Sequence, residues 1–474
     1  MKKIIIAADR SGSGKTTITM ALLAALKKRG LKVRPYKVGP DYIDGIYHKI
    51  VSDEYSYNLD SWMLNKDYLV KHFDETSSGY DMALIEGVMG LFDGKGEGIQ
   101  GSTAEISIIL GVPVILIVDC KAIAGSIAPL VYGFMNFDSR VKVAGVILNN
   151  ISGPKHKEYL ISALKNAGIS YYGAVYRNEL FNFKSRHLGL DTSIEKNFNK
   201  NKIHEMAETI EKSLNIEKIL EVATFRTEKI ENKKELEPYN IKIVKDIHRS
   251  NRVECRLAIA YDEAFHFYYR ANLDLLKNCG AELVKFSPLN DKDLPENLGG
   301  IYLGGGYPEV YADKLSRNKK MIDAVRKFAF KGGVIYGECG GLMYLGRSII
   351  YNGKKHSMVG IFDIDVEICG KLFHLGYVEL QLLRDCILGE KGTIIRGHEY
   401  HYSKIINNDD NNKKWKKGIY YTINKDDNNL LKGFYYKKVL ASYVHLHFGS
   451  NPKVACNLVE SCYNFLKKNN FSGQ

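Results

Sequence analysis

Cys339 sits in GGVIYGECGGLMYLG (Gly332–Gly346), between a β-branched apolar run and a glycine pair. A thiol buried for packing needs no such flanks. A thiol held on a tight turn between a strand and a helix does, and strand–turn–helix is the layout of a nucleophile elbow. Such a turn exposes the side chain and aims a helix N-terminus at it, and both effects are expected to favour thiolate. The glycines of LGGGYPE (Leu303–Glu309) follow another strand-like run, and their N–H groups could hold an oxyanion. ASYVHLHFGS (Ala441–Ser450) places His445 and His447 on one face after a strand, so either could serve as the base.

A second chemistry lies at the start of the chain. In AADRSGSGKTT (Ala7–Thr17), Gly14, Lys15 and Thr16 match the end of a P-loop, flanked by Ser13 and Thr17. Backbone N–H groups would cradle phosphates, Lys15 would reach the β/γ oxygens, and the Thr16 hydroxyl would bind Mg2+. The full pattern has glycine six residues before the lysine; here Asp9 stands there, and Gly12 keeps the loop open. Acids for a magnesium nucleotide follow strand-like runs. KVGPDYID carries Lys37, Asp41 and Asp44, and IEGVMGLFDG carries Glu86 and Asp93. Carboxylates at the carboxyl ends of parallel strands face the ligand crevice, and Mg2+ prefers such hard oxygens shared with phosphate.

These residues need elements to hold them. Ile4–Ala8, the run ending at Val38, Met82–Gly87, Val112–Asp119 and Val143–Asn149 are apolar runs separated by helical patterns. They predict a parallel sheet covered on both faces. Arg226–Arg252 is charged and without apolar period, and reads as a connection. RLAIAY (Arg256–Tyr261), AELVKF, GGIYLGG and GGVIYGE then open a second α/β unit. The expected organisation is α/β throughout: a P-loop domain over 1–225, a linker over 226–252 and a second domain over 253–474.

With 474 residues, two domains are expected; 45% hydrophobic and 26% charged residues are globular values. The net charge of +13 suits an anionic ligand. No apolar run reaches the ~20 residues of a membrane span, and the apolar stretch after Met1 is shorter than the ~7–15 residues of a signal peptide. The low-complexity Asn407–Lys417 carries one Trp, no stacking series, and reads as a surface loop; neither membrane nor nucleic acid is an expected partner. The eight cysteines form no CxxC pair and are expected as reduced thiols in a cytoplasm.

Taken together, a P-loop domain followed by GGGYPE, ECGGLMYL and SYVHLHF resembles the cobyrinate a,c-diamide synthase family, over nearly the whole chain. SRHLGL (Ser185–Leu190), AFHFYY (Ala264–Tyr269), FSPLND and GHEYHYS (Gly397–Ser403) also look like family blocks, with His266 standing where the family block has asparagine. The N-terminal half is similar to dethiobiotin synthetase, and the C-terminal half looks like a class I glutamine amidotransferase. The resemblance implies an ATP- and glutamine-dependent ligase that amidates the a and c acetates of cobyrinate. Cys339 would form a glutamyl thioester with His445 as base, and Gly305 and Gly340 would supply oxyanion N–H groups. Thr16, Asp41 and Glu86 would hold Mg2+, Lys37 would neutralise phosphate, and Asn149 would contact adenine. Asp44 and Asp93 match acidic family positions tied to catalysis. The glutamate usual two residues after the histidine is replaced by His447, which leaves the third triad member unassigned. A homodimer would be compatible with this reading.

Three alternatives stay open at this level. A close branch of the family amidates nickel sirohydrochlorin, which offers the same acetate arms. A P-loop switch fused to a sensor domain would carry an additional lysine early in the loop, where this chain has Arg10. A plain glutaminase would have no use for intact Lys15 and Thr16.

Overall fold

The computed structural model describes residues 1–178, 180, 199–223, 255–406, 416–422 and 431–471. The expected linker and the SRHLGL block lie outside the described residues. The chain divides into two units, Met1–Lys234 and Glu235–Gln474.

In the first unit, Ile4, Ile5 and Ile6 are all fully buried, so neighbouring side chains on both faces of their strand are covered. That is the environment of a central strand in a parallel sheet. Seven strands form it: β1 (Lys2–Ala8), β2 (Val33–Val38), β3 (Tyr57–Leu59), β4 (Met82–Glu86), β5 (Val114–Asp119), β6 (Val143–Ile151) and β7 (Tyr171–Tyr176). Their order is β3-β2-β4-β1-β5-β6-β7, and every pairing is parallel. The strand order reverses beside β1, so the loops after β1, β2 and β4 share one crevice at the carboxyl edge. Helix α1 (Lys15–Lys28) leaves directly from the loop after β1, with Gly14 in left-handed backbone at φ 96°. Helix α2 (Ile43–Ser52) starts where the Asp41 carboxylate accepts the N–H groups of Ile43 (2.8 Å) and Asp44 (3.2 Å). That cap satisfies two helix-end donors.

The second unit is built on β8 (Cys255–Ala260), β9 (Ala281–Phe286), β10 (Leu298–Leu303) and β11 (Val334–Glu338), all parallel. A small sheet follows, from β12 (Ser348–Tyr351), β13 (Lys354–Ser357), β14 (Asp365–Ile368) and β17 (Ser403–Ile405). The main sheet continues through β15 (His374–Leu382), β16 (Ile394–His401), β18 (Lys416–Thr422), β19 (Leu431–Tyr436), β20 (Val439–Ser442) and β21 (His445–Leu446). Its order is β21-β16-β15-β18-β19-β20-β11-β10-β8-β9, antiparallel from β21 to β20 and parallel beyond. The expected parallel α/β unit is therefore half of this sheet.

The cysteines depart from expectation. Cys279 and Cys456 form a disulfide with a Cα–Cα separation of 5.0 Å. They meet because the helix Arg270–Asn278, which Cys279 caps, packs against the helix Lys453–Phe471. The other six cysteines are not disulfide-bonded.

Candidate active sites

At the carboxyl edge of the first sheet, three loops converge on one ion cluster. Thr16 Oγ1 donates to Glu86 Oε1 at 2.6 Å and lies 3.3 Å from Asp44 Oδ1. Lys37 Nζ reaches Asp44 Oδ2 (2.7 Å), Glu86 Oε1 (3.0 Å) and the Gly87 carbonyl (2.8 Å). His48 Nε2 lies 2.7 Å from Glu86 Oε2. Asp44, His48 and Glu86 are fully buried. Burial works against the charge on Glu86, but Lys37 and His48 outweigh it and hold its carboxyl well below the usual range. Burial likewise opposes the charge on Lys37, and Asp44 and Glu86 reverse that, raising it. The two carboxylates thus already share one cation.

Lys15 donates to the carbonyls of Met89 (2.5 Å) and Arg10 (3.3 Å), across the mouth of the loop. Burial and then the neighbouring Lys37 push its ammonium down to about 8. Ser13 Oγ donates to Asp9 Oδ1 at 2.5 Å, and Arg10 bridges Asp9 and Asp119. Asp9 therefore stands in place of the first loop glycine as an anchor for the loop's own side chains. Asn149 Nδ2 donates to the Ser13 carbonyl at 2.9 Å, and a β-carbon on Gly14 would collide with that amide. Asp93 Oδ2 accepts the Gly90 N–H at 2.7 Å and is exposed. Asp41 stands at the start of α2, engaged in the cap already described, while Thr17 lies in the first turn of α1. The hard oxygens of Thr16, Asp44 and Glu86, with Thr16 Oγ1 on both carboxylates, are a donor set that fits Mg2+ shared with phosphate. Among the described residues, no three His, Cys, Asp or Glu side chains form a metal cage of their own.

In the second unit, Cys339 has φ 47° and ψ −98°, the strained turn between β11 and the helix Gly340–Leu345. Its N–H donates to the Ser442 carbonyl at 2.8 Å, tying the elbow to β20. His445 follows three residues later on β21. The expected exposed thiolate is not what the fold makes. Cys339 is only 6% exposed, and burial, with Glu309 and Glu399 nearby, raises its thiol well above the ordinary value. Desolvation outweighs the favourable N–H of Gly340.

The two histidines separate. Around His445 are Gly305, whose added β-carbon would collide with Cε1, and His398, whose ring stacks at 4.9 Å. Burial and then His398 hold His445 well below its usual value, so the imidazole is neutral at rest. His447 instead accepts the Gly449 N–H at Nδ1 (3.1 Å) and packs on Tyr269 at 4.6 Å. It caps the turn Phe448–Ser450.

The glycine strip makes the facing wall. The Gly305 N–H donates to the Phe267 carbonyl at 3.3 Å, in an isolated bridge between the two residues. The Gly306 nitrogen lies 3.3 Å from where a β-carbon on Gly340 would stand, so Gly306 as well as Gly340 borders the elbow. His266, with its ring against Phe267 (4.6 Å) and Tyr307 (5.8 Å), lines the same segment, and burial pushes it down to about 4. GHEYHYS supplies another wall. Tyr269 Oη and His398 Nδ1 are 2.7 Å apart, His401 stacks on Tyr443 at 3.8 Å, and Glu399 bridges His401 (3.0 Å) and Lys432. Burial opposes the charge on Glu399, but His401 and Lys432 hold it down at about 2.

Two groups escaped the sequence reading, His48 and Glu338, while Gly306 lay within the LGGGYPE strip without being singled out. Glu338 had a signal, an ionisable residue ending the apolar run VIYGE, where a charge in a buried strand calls for a reason. His48 had none, because α2 turns it onto Glu86 only in three dimensions.

Residues 4–190 match the family described as CobQ/CobB/MinD/ParA nucleotide binding domain, and residues 256–453 match the CobB/CobQ-like glutamine amidotransferase domain. Among curated proteins, the chain is 42% identical over 472 residues to a cobyrinate a,c-diamide synthase of Dehalococcoides mccartyi strain CBDB1, covering 98% of each chain. It is 40% identical to the protein of that description from Picrophilus torridus, covering 98% of this chain and 99% of the relative. The corresponding protein of Syntrophotalea carbinolica is 38% identical, with 97% and 98% covered.

Proposed function

The chain belongs to the cobyrinate a,c-diamide synthase family, and from that premise we propose that it converts the a and c acetate carboxylates of cobyrinate to amides, using ATP and the amide nitrogen of L-glutamine. The observation that carries the reading is the occurrence within one chain of a thiol elbow whose preceding residue, Glu338, stands 3.9 Å from His445, and a P-loop whose Thr16 meets Glu86 at 2.6 Å. Neither half alone needs the other; a carboxylate amidoligase needs both.

In the second unit, Cys339 Sγ attacks the side-chain amide carbon of glutamine. His445 takes the thiol proton and returns it to the departing nitrogen, so ammonia leaves and a glutamyl thioester remains. Water then releases glutamate and restores the thiol. The Gly340 and Gly306 N–H groups would supply the oxyanion donors, since the Gly305 N–H expected in that role is given to the Phe267 carbonyl. The high resting value of the Cys339 thiol supports a nucleophile that is deprotonated only as the bond forms.

In the first unit, Gly14, Lys15 and Thr16, with Ser13 and Thr17, hold the ATP phosphates, and Asn149 borders the base. A substrate carboxylate oxygen attacks the γ-phosphorus, giving an acyl phosphate and ADP. Ammonia attacks the acyl carbon, phosphate leaves, and the amide remains. Lys15 and Lys37 balance charge on the transferring phosphoryl group. Thr16 and Glu86, with Asp44 in place of the expected Asp41, would hold Mg2+, because Asp41 Oδ1 is engaged in capping α2 while Asp44 reaches Thr16; bound there, the ion would neutralise phosphate oxygens. Asp93, exposed and accepting the Gly90 N–H, is assigned a catalytic role on the strength of the matching acidic family position. The positive net charge of the chain suits a polycarboxylate tetrapyrrole.

The deciding experiment is mass spectrometry of the tetrapyrrole after incubation with ATP, Mg2+ and glutamine. Cobyrinate should gain two amides. Double amidation of nickel sirohydrochlorin, with cobyrinate untouched, would reassign the substrate, and glutamine turnover indifferent to ATP and tetrapyrrole would end the reading.

A further inference from the structure

Glu338 directly precedes the elbow cysteine and is 1% exposed. Three donors from three strands converge on its carboxylate. Oε1 accepts from Tyr336 Oη (2.7 Å) and the Leu446 N–H (3.0 Å), and Oε2 accepts from Tyr302 Oη (2.8 Å). Beyond them, Oε2 stands 3.9 Å from Nδ1 of His445, an ion-pair separation rather than a hydrogen bond. A carboxylate accepting only is the form that three aimed donors fit. The residue two positions after His445, where an acid would ordinarily back the base, is His447, which caps a turn. Glu399 is also near, but its oxygens are engaged by His401 and Lys432.

We propose that Glu338 is the positioning residue for His445: its carboxylate, clamped by Tyr302, Tyr336 and the Leu446 N–H, faces Nδ1 and favours the neutral imidazole that carries its proton there, so that Nε2 is the atom that takes the thiol proton. When His445 becomes imidazolium during attack by Cys339, the carboxylate faces the new charge, and the 3.9 Å gap is the distance over which the pair closes. No proton moves to Glu338. The acid that completes the Cys–His pair thus comes from β11, one residue before the nucleophile, not from the histidine's own strand. Burial pushes the Glu338 carboxyl up to about 7, against the donors from Tyr336, Tyr302 and Leu446 that favour the charge. A group kept ionisable at that cost, facing a base, is suited to a functional position.

The inference rests on Cys339 and His445 being the glutaminase pair, so Cys339→Ala and His445→Ala are run beside it. If either keeps glutaminase activity, the proposed function fails; if both lose it, the Glu338 variants decide this inference alone. Glu338→Gln keeps size and acceptor but removes charge, and Glu338→Asp keeps charge but shortens the side chain. Glutaminase kcat is expected to fall about 100-fold in Glu338→Gln, with KM for glutamine changed less than about twofold. Glu338→Asp should retain more kcat than Glu338→Gln. A packing role predicts the reverse order, and Glu338→Gln equal to or faster than Glu338→Asp overturns the proposal. Should both variants fail to fold, nitrogen NMR of the wild-type chain still decides: His445 protonated at Nδ1 is expected, and protonation at Nε2 overturns it.

Discussion

A β-carbon on Gly305 would occupy the space of the His445 ring, meeting Cε1 and standing 3.3 Å from Nε2. The glycine is therefore the clearance that lets the imidazole sit against the turn after β10. Gly305→Ala should displace the ring and lower glutamine-dependent amidation by about 100-fold, since misplacement of about 1 Å costs that much. Amidation with added ammonium salt should stay near wild type, because it bypasses the second unit. Equal loss with both nitrogen sources would contradict this account.

The thiol itself should be sluggish at rest. Burial, Glu309 and Glu399 raise it, so at pH 8 the Cys339 peptide should alkylate with iodoacetamide more slowly than a free thiol of ordinary value, ~8.5. Peptide mass spectrometry distinguishes it from the other five free cysteines. Rapid alkylation that persists below pH 7 would mean a standing thiolate, with burial no longer raising Cys339.

Lys37 carries the ion cluster of the first unit. Lys37→Met leaves Asp44 and Glu86 buried without their shared cation, and should destabilise that unit by about 3–5 kcal/mol. The sign with pH follows from Glu86. Its folded value is depressed, so its stabilisation is present above the ordinary carboxyl value and is lost as pH falls through the folded one. Denaturant midpoints should therefore differ most between wild type and variant near neutral pH and converge on acidification. A gap that widens in acid would refute the pairing.

Lys15 gives a binding signature. Its ammonium, held down at about 8, is partly neutral just above that pH, and polyphosphate favours the charged form. ATP binding should take up protons above pH 8 and take up none near pH 6, where Lys15 is already charged. Calorimetry in two buffers of different ionisation enthalpy reads this directly. Identical heats in both buffers at the higher pH would show that Lys15 does not titrate on binding.

The two histidines offer a control. His447→Gln removes a turn cap and a ring on Tyr269, and should cost about 1–2 kcal/mol in stability while leaving KM for glutamine unchanged. His445→Gln should do the opposite, abolishing glutaminase activity with little loss of stability. Sequence alternation alone put both on one face and offered no choice between them.

What the sequence determined by itself was the local chemistry. The turn after Ile4–Ala8 had to be a phosphate loop, because Gly14, Lys15 and Thr16 act through spacing along the backbone. The elbow at Cys339 was legible for the same reason, as were the central parallel strands, whose apolar runs need no partner to be recognised. The tertiary structure decided everything that depends on which distant groups share a dry space. It turned His48 onto Glu86, used Asp41 to cap α2 while sending Asp44 to Thr16 and Lys37, and joined Cys279 to Cys456. It hid the antiparallel half of the second sheet from view, since short strands such as β21 exist only through their neighbours. Above all it decided charge: glycines beside a cysteine promise an exposed thiolate, but burial is a property of the packed fold, and it raises the Cys339 thiol instead.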